Sequence, residues 1–267
     1  FIDKPYNWEL EMFENEIKPV ITINSTRGCP FSCMFCGVAN TKFRGIDADR
    51  LANYIDGLIS KHGSQGIYFR EDNFTVQPKR VEAFCDILIS ENINIKWACE
   101  THPTTLNQDL VDLMYESGNR AITIGVESRT TEVIIQSKRK DTDEKHLKDI
   151  VDYCEKKGIK IMAGYIMGNL SDSKETILDT IEYAKILNTS YAQFTVSTPY
   201  PGTAYYQNLI NLDSTPDSLL TSVYFRFIGD MNTSITFRRR VDQNLLRSNK
   251  LKDLYSQNTI DKYILLD

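Results

Sequence analysis

Val20-Ile21-Thr22-Ile23-Asn24-Ser25-Thr26-Arg27-Gly28-Cys29-Pro30-Phe31-Ser32-Cys33-Met34-Phe35-Cys36-Gly37 is the stretch from which the rest of this chain is read. It opens on an apolar run, Val20 to Ser25, whose β-branched residues predict a strand. The chain then enters a loop with thiols at Cys29, Cys33 and Cys36, in the spacing C-x3-C-x2-C. Three thiolates this close can hold three irons of a cubane [4Fe–4S] cluster. Such a cluster takes four ligands, so one iron is left open to another molecule. A zinc site and a disulfide pair are the alternatives. Structural zinc asks for four protein ligands, mostly as two C-x2-C pairs. No second pair and no His-x3-His partner stands near this trio.

Outward from that loop, apolar strands alternate with helical periodicity. Helices are predicted at Asp49–Lys61, Pro78–Glu91, Asn107–Ser117, Asp143–Lys157 and Ser173–Leu187. Strands are predicted at Gly66–Phe69, Ile93–Cys99, Ala121–Val126, Ile159–Ile166 and Tyr191–Ser197. A short helix follows Pro201-Gly202. Six strand–helix units in series imply an α/β fold with a parallel sheet and right-handed crossovers. A complete barrel of this kind has eight units, and its reactive face is the carboxyl end of the strands. The cysteine loop leaves strand one on that face. After about Asn211 the pattern weakens, and Phe237-Arg238-Arg239-Arg240 reads as a solvated basic run.

With 267 residues, 41% of them hydrophobic and 25% charged, the chain can bury a large core. No apolar run reaches a membrane span and no secretory signal is present. The net charge of −5 argues against non-specific nucleic-acid binding. Six cysteines could form disulfides, but the close trio argues for a reducing cytoplasm. Cys85, Cys99 and Cys154 fall within helix or strand patterns and read as small buried apolar residues. The first residue is Phe1, which reads as a fragment or processed form.

C-x3-C-x-aromatic-C after a strand, with Phe35 at the aromatic position, resembles the signature of radical S-adenosylmethionine (SAM) enzymes. The resemblance runs from about Val20 to about Leu209, and further motifs resemble the cobalamin-associated branch. It implies a partial (β/α)6 TIM-like barrel over residues 20–211, a linker or N-terminal extension over 1–19 and a C-terminal extension over 212–267. It implies that Cys29, Cys33 and Cys36 hold the cluster, that SAM binds the open iron, and that an electron cleaves SAM to a 5′-deoxyadenosyl radical. Arg70-Glu71-Asp72-Asn73-Phe74-Thr75 resembles the branch's Asp-Asp-x-Phe-Thr element, which places Glu71, then Asp72, against the SAM amino group. A helix-capping or turn role is the other reading of that acidic pair. Gly125-Val126-Glu127-Ser128 resembles its Gly-x-Glu-Ser element and places Glu127 and Ser128 near the ribose or amino group.

Gly164-Tyr165-Ile166-Met167-Gly168 resembles the element whose backbone lies against adenine, which nominates Gly164, Ile166 and Gly168. Glycine there lets the backbone approach a flat ring. The turn that follows departs from the usual Gly-x-Pro-Gly-Glu at Leu170, Ser171 and Asp172, and Asp172 reads equally as a helix cap. Pro199-Tyr200-Pro201-Gly202-Thr203 resembles the branch's Pro-x-Pro-Gly-Thr element, or is simply a rigid turn. Arg27, Arg70, Glu100, His102 and Tyr165 are candidates for the substrate cavity.

The expected partners are a small-molecule or peptide substrate and a reductant such as flavodoxin or ferredoxin, with no membrane and no nucleic acid. Phe1 to Trp8 resembles the acidic, proline-containing linker that follows a cobalamin-binding domain in that branch, so cobalamin through a domain outside this chain is a further expectation. Methyl transfer with cobalamin is the leading reaction. The alternatives are a cobalamin-free dehydration, epimerisation, cyclisation or other rearrangement in natural-product or cofactor biosynthesis, and a non-catalytic iron–sulfur or zinc protein.

Overall fold

The computed structural model describes residues 17, 19–169, 171–212 and 234–238. The linker reading of Phe1 to Trp8, the departure at Leu170 and most of the segment 212–267 lie outside these residues.

β1 (Val20–Ile23) leads to a short antiparallel ladder, β2 (Thr26–Arg27) against β3 (Arg44–Gly45). This ladder closes the base of the cysteine loop, with Thr26 opposite Gly45 and Arg27 opposite Arg44. Then come α1 (Ala48–His62), β4 (Gly66–Phe69), α2 (Pro78–Ser90), β5 (Lys96–Thr101) and α3 (Gln108–Glu116). They are followed by β6 (Asn119–Glu127), α4 (Thr131–Gln136), α5 (Glu144–Lys157), β7 (Lys160–Met167) and α6 (Lys174–Leu187). β8 (Tyr191–Val196), α7 (Ala204–Leu212) and β9 (Ser234–Arg238) complete the described elements.

The strand order is β1-β4-β5-β6-β7-β8-β9. Six strands run parallel, and β9 pairs antiparallel with β8 at the far edge. The sheet is open between its β1 and β9 edges, as a partial (β/α)6 barrel requires.

Caps place the helices where the sequence predicts them. Asn107 Oδ1 accepts from Leu110 N at 2.8 Å, and Asp143 Oδ1 from His146 N at 2.9 Å. Ser173 and Thr176 form a reciprocal capping box at the start of α6. Thus Ser173, not Asp172, is the N-cap.

Strand three begins later than predicted, at Lys96 rather than Ile93. Asn92 adopts φ +55°, and Ile93 N donates back to Leu88 O at 2.9 Å. That turn closes α2 and takes Ile93 out of the strand. The short helix α4, the β2–β3 ladder and the edge strand β9 went unread in the sequence. Each is too short for its periodicity to show. Part of the basic run, Phe237-Arg238, pairs with Tyr191-Ala192 as sheet edge.

Phe69, at the end of β4, sits among Phe74, Phe84 and Trp97, with ring centroids 4.7, 5.7 and 5.7 Å away. All four rings are fully buried. Such pairs add about 0.5–1.5 kcal/mol each beyond the area they bury. This cluster holds rigid the turn after β4, where two of the acidic site candidates stand. No described helix is long and apolar enough to cross a membrane.

Candidate functional site

The chain divides into two compact units. One holds residues up to Pro30 with Thr41–Gly125 and Thr142–Met162. The other holds Phe31–Asn40, Val126–Asp141 and residues from Ala163 onward.

In the first unit the strand ends converge on Glu71. Its Oε1 accepts from Ser25 N at 2.5 Å and Ser25 Oγ at 2.6 Å, and its Oε2 accepts from Thr26 Oγ1. Arg80 Nη2 donates to the same Ser25 Oγ at 2.7 Å, adding positive charge behind the carboxylate. Burial pushes the Glu71 carboxyl above its usual value, and the Ser25 hydrogen bonds and Arg80 pull it part of the way back. Asp72 is exposed, and its Oδ2 accepts from Gly28 N at 2.9 Å.

The acidic pair therefore grips both ends of the segment that leads from β1 into Cys29. Gly28 itself adopts φ +88°, and a Cβ there would stand 2.4 Å from Lys42 O. Only glycine fits that corner. Cys29 follows, its N donating to Thr41 Oγ1 at 3.0 Å and its O accepting from Thr41 N at 3.0 Å.

Further along the same unit, Tyr68 on β4 donates its hydroxyl to Glu100 on β5. Burial raises the Glu100 carboxyl, and the Tyr68 hydrogen bond and nearby Arg70 lower it. Arg70 is exposed. Arg27 is exposed on β2. His102 is buried, and its Nδ1 accepts from Thr104 N at 3.2 Å, so the neutral ring carries its proton on Nε2. Asn73 Oδ1 ties the two strand ends together, accepting from Thr101 Oγ1 at 2.8 Å and His102 N at 3.3 Å.

In the second unit, Cys33 is buried and Cys36 and Phe35 are half-buried. Cys36 N donates to Cys33 O at 3.1 Å, which turns the loop between the two thiols. Arg139 Nη1 points at Cys33 Sγ from 3.9 Å and at Glu127 Oε1 from 3.4 Å. Burial pushes the Cys33 thiol up, Arg139 pulls it down and Glu127 pushes it up. Glu127 is raised by burial and lowered by Arg139. It also adopts φ +69°, uncommon for a residue with a side chain and often found where function constrains the backbone.

Ser128 is buried and engaged locally: its Oγ lies 3.2 Å from Thr180 Oγ1 and accepts from Thr130 N at 3.1 Å. Gly164 and Ile166 share the half-buried face of β7. Gly168 follows at φ +80° with nothing within 4 Å of where a Cβ would lie. Tyr165 is buried and stacks on Phe194, with ring centroids 5.0 Å apart. Asp172 accepts from Asn169 N and Thr176 Oγ1, both at 2.8 Å, and so holds the turn before α6.

Among the described residues, no three or more His, Cys, Asp or Glu side chains are drawn together as around an ion. The chemistry of the loop's donors nevertheless fits an iron–sulfur cluster. All three thiols are free of disulfides, and a guanidinium, that of Arg139, lies 3.9 Å from Cys33 Sγ. A guanidinium offsets the negative charge that thiolates and sulfide bring.

Sequence reasoning missed Arg139, Ser25, Thr26 and Asn73. Arg139 lies within Lys138-Arg139-Lys140, and nothing in that run marks the middle residue as the buried one.

Residues 23–184 match the profile of the Radical SAM superfamily. Over 204 residues the chain is 28% identical to an uncharacterized methyltransferase of Pyrococcus horikoshii, covering 75% of this chain and 44% of that protein. Over 206 residues it is 25% identical to the anaerobic magnesium-protoporphyrin IX monomethyl ester cyclase of Rubrivivax gelatinosus, covering 76% and 37%. The chain thus spans less than half the length of these relatives. Its fold is similar to that of TsrM, a radical SAM methyltransferase from Kitasatospora setae solved with cobalamin and a [4Fe–4S] cluster bound. The TM-score is 0.67 at 13% identity, covering 72% of this chain and 39% of that one.

Proposed function

This chain belongs to the radical SAM superfamily, and from that premise we propose that it holds a [4Fe–4S] cluster through Cys29, Cys33 and Cys36 with SAM beside it, and acts on a C–H bond of a small-molecule or peptide substrate. It is an enzyme of the radical SAM type. The observation that carries the finer reading is the trio of disulfide-free thiols on the loop leaving β1. When bound, the cluster and SAM supply a 5′-deoxyadenosyl radical able to take hydrogen from an unreactive carbon.

The protein's own part is positioning and exclusion. Glu71 and Asp72 hold Ser25, Thr26 and Gly28, and so fix the path of the chain into Cys29. Asp72, exposed beside that segment, is the carboxylate we assign to the SAM amino group, with Glu71 as its support. Glu127 and Ser128 are assigned to the ribose side, and Gly164, Ile166 and Gly168 to the adenine. Open space beside Gly168 suits a flat ring. Glu100, with Arg70 near it, and His102 are the substrate-side polar groups.

Methyl transfer with cobalamin from a domain outside this chain is our leading reaction, supported by the methyltransferase relative and the cobalamin-bound neighbour. A cobalamin-free cyclisation or other rearrangement is the second reading, favoured by the similarity to an anaerobic cyclase. A low-potential flavodoxin or ferredoxin in the cytoplasm is the reductant we assign.

The test is product analysis after anaerobic reconstitution with iron and sulfide, reduction with dithionite and addition of SAM, with and without methylcobalamin. The expected product is 5′-deoxyadenosine, absent from a folded Cys33→Ala variant. S-adenosylhomocysteine that forms only with cobalamin would select methyl transfer. Intact SAM over a formed cluster, or 5′-deoxyadenosine from Cys33→Ala, overturns the proposal.

A further inference from the structure

Ser137 to Lys140 leave α4 and lie along the cysteine loop residue by residue. Met34 N donates to Ser137 O at 2.9 Å, and Ser32 Oγ donates to Lys138 O at 3.0 Å. Arg139 reaches Cys33 Sγ, and Lys140 Nζ stands 5.4 Å from the centre of the Phe31 ring. The turn that aims this strap is a helix-ending motif. Arg139 N donates to Ile134 O at 3.2 Å and Lys138 N to Ile135 O at 2.9 Å, with Lys138 at φ +49° where glycine is usual. Lys138 and Lys140 are exposed, but the Arg139 side chain is only 8% exposed and sits against the Glu127 side chain, itself 14% exposed.

We propose that the Arg139–Glu127 pair sets how readily a cluster held at Cys33 accepts an electron. The inference rests on the cluster reading above. Reduction from the 2+ to the 1+ state takes one electron and adds one negative charge near Cys33, and both side chains feel it. A partly buried guanidinium stabilises the added charge and a partly buried carboxylate opposes it. Charge and hydrogen bonding at the sulfurs are among the factors that set such potentials. Arg139 thus raises the reduction potential, and Glu127 limits the rise while holding the guanidinium in place. A role confined to fastening the loop would give no such pair of opposite signs.

The test is a dithionite titration of the reconstituted protein without SAM, following the electron-paramagnetic-resonance signal of the 1+ state. Arg139→Gln is expected to shift the midpoint to more negative potential. Arg139→Lys, which keeps the charge without the fork, should shift it less. Glu127→Gln, isosteric and under the same backbone constraint, is expected to shift it to more positive potential. Midpoints unmoved in both Gln variants, or moved in the same direction, overturn the inference while leaving the cluster reading intact. If Arg139→Gln fails to hold a cluster, Glu127→Gln decides alone, and no positive shift overturns the inference. An unmutated protein that forms no cluster overturns this inference and the cofactor reading together.

Discussion

Two glutamates end two strands of this sheet, and they are held in opposite ways. Glu71, after β4, has its carboxylate occupied by Ser25 and Thr26, all uncharged donors within the protein. Glu127, at the end of β6, meets a guanidinium at 3.4 Å and adopts φ +69°. Burial raises both carboxyls, so the electrostatic direction alone does not separate them. Their hydrogen-bond partners do. The Glu71 carboxylate satisfies main-chain and hydroxyl donors that would otherwise be stranded. Glu127 instead shares its cation with a thiol, that of Cys33.

The sharpest way to break this contrast is at the corner Glu71 and Asp72 protect. Gly28→Ala would force a Cβ to within 2.4 Å of Lys42 O at φ +88°. The left-handed conformation alone costs an L-residue about 1–2 kcal/mol, and the overlap adds to it. The expected result is a loss of at least ~2 kcal/mol in urea unfolding, with reduced iron uptake on reconstitution. Unchanged stability and iron content would mean that the corner is not rigid.

A smaller effect separates the two glutamates directly. At pH 7, Glu71→Gln turns one acceptor oxygen into a donor facing the Ser25 and Thr26 hydroxyls and should lower stability by roughly 1–3 kcal/mol. Glu127→Gln keeps an oxygen for Arg139 and should cost less than about 1 kcal/mol, yet lower 5′-deoxyadenosine formation more than Glu71→Gln does. Thermal unfolding and product analysis on the two variants check this. The reverse ranking in both readouts would dissolve the distinction.

The smallest effect is in pH dependence. Because the folded-state carboxyl of Glu71 lies above its usual value, the folded protein holds that proton more tightly than the unfolded chain. Its contribution to stability is complete below the unfolded carboxylate value of about 4.3 and is lost as pH rises through the raised folded value. The stability deficit of Glu71→Gln relative to the parent should therefore narrow as pH rises from about 4.5 toward neutrality. Urea midpoints across that range check the trend; a deficit that widens means the carboxylate is stabilised by its donors more than burial opposes it.

Much of the architecture was legible because periodicity and punctuation agreed. Gly66–Phe69 is a strand over the predicted residues, and Asn107 and Asp143 cap the predicted helices. The failures have local causes. Ile93 is apolar enough to read as strand, but Asn92 at φ +55° diverts it into closing α2. The six residues of α4 are too few to show a helical period, and with α4 went the turn at Lys138 that aims Arg139 at the cysteine loop.

By itself the sequence determined the strand–helix alternation, the thiol spacing and the acidic residues at strand ends, because side-chain period, glycine and cysteine spacing are properties of neighbours along the chain. Only the tertiary structure decided that Glu71 serves Ser25 and Thr26, that Tyr165 stacks on Phe194, and that the middle cation of Lys138-Arg139-Lys140 is the buried one. Those facts depend on which groups become neighbours across 46, 29 and 106 positions. Burial and hydrogen bonding then give residues of one type different work.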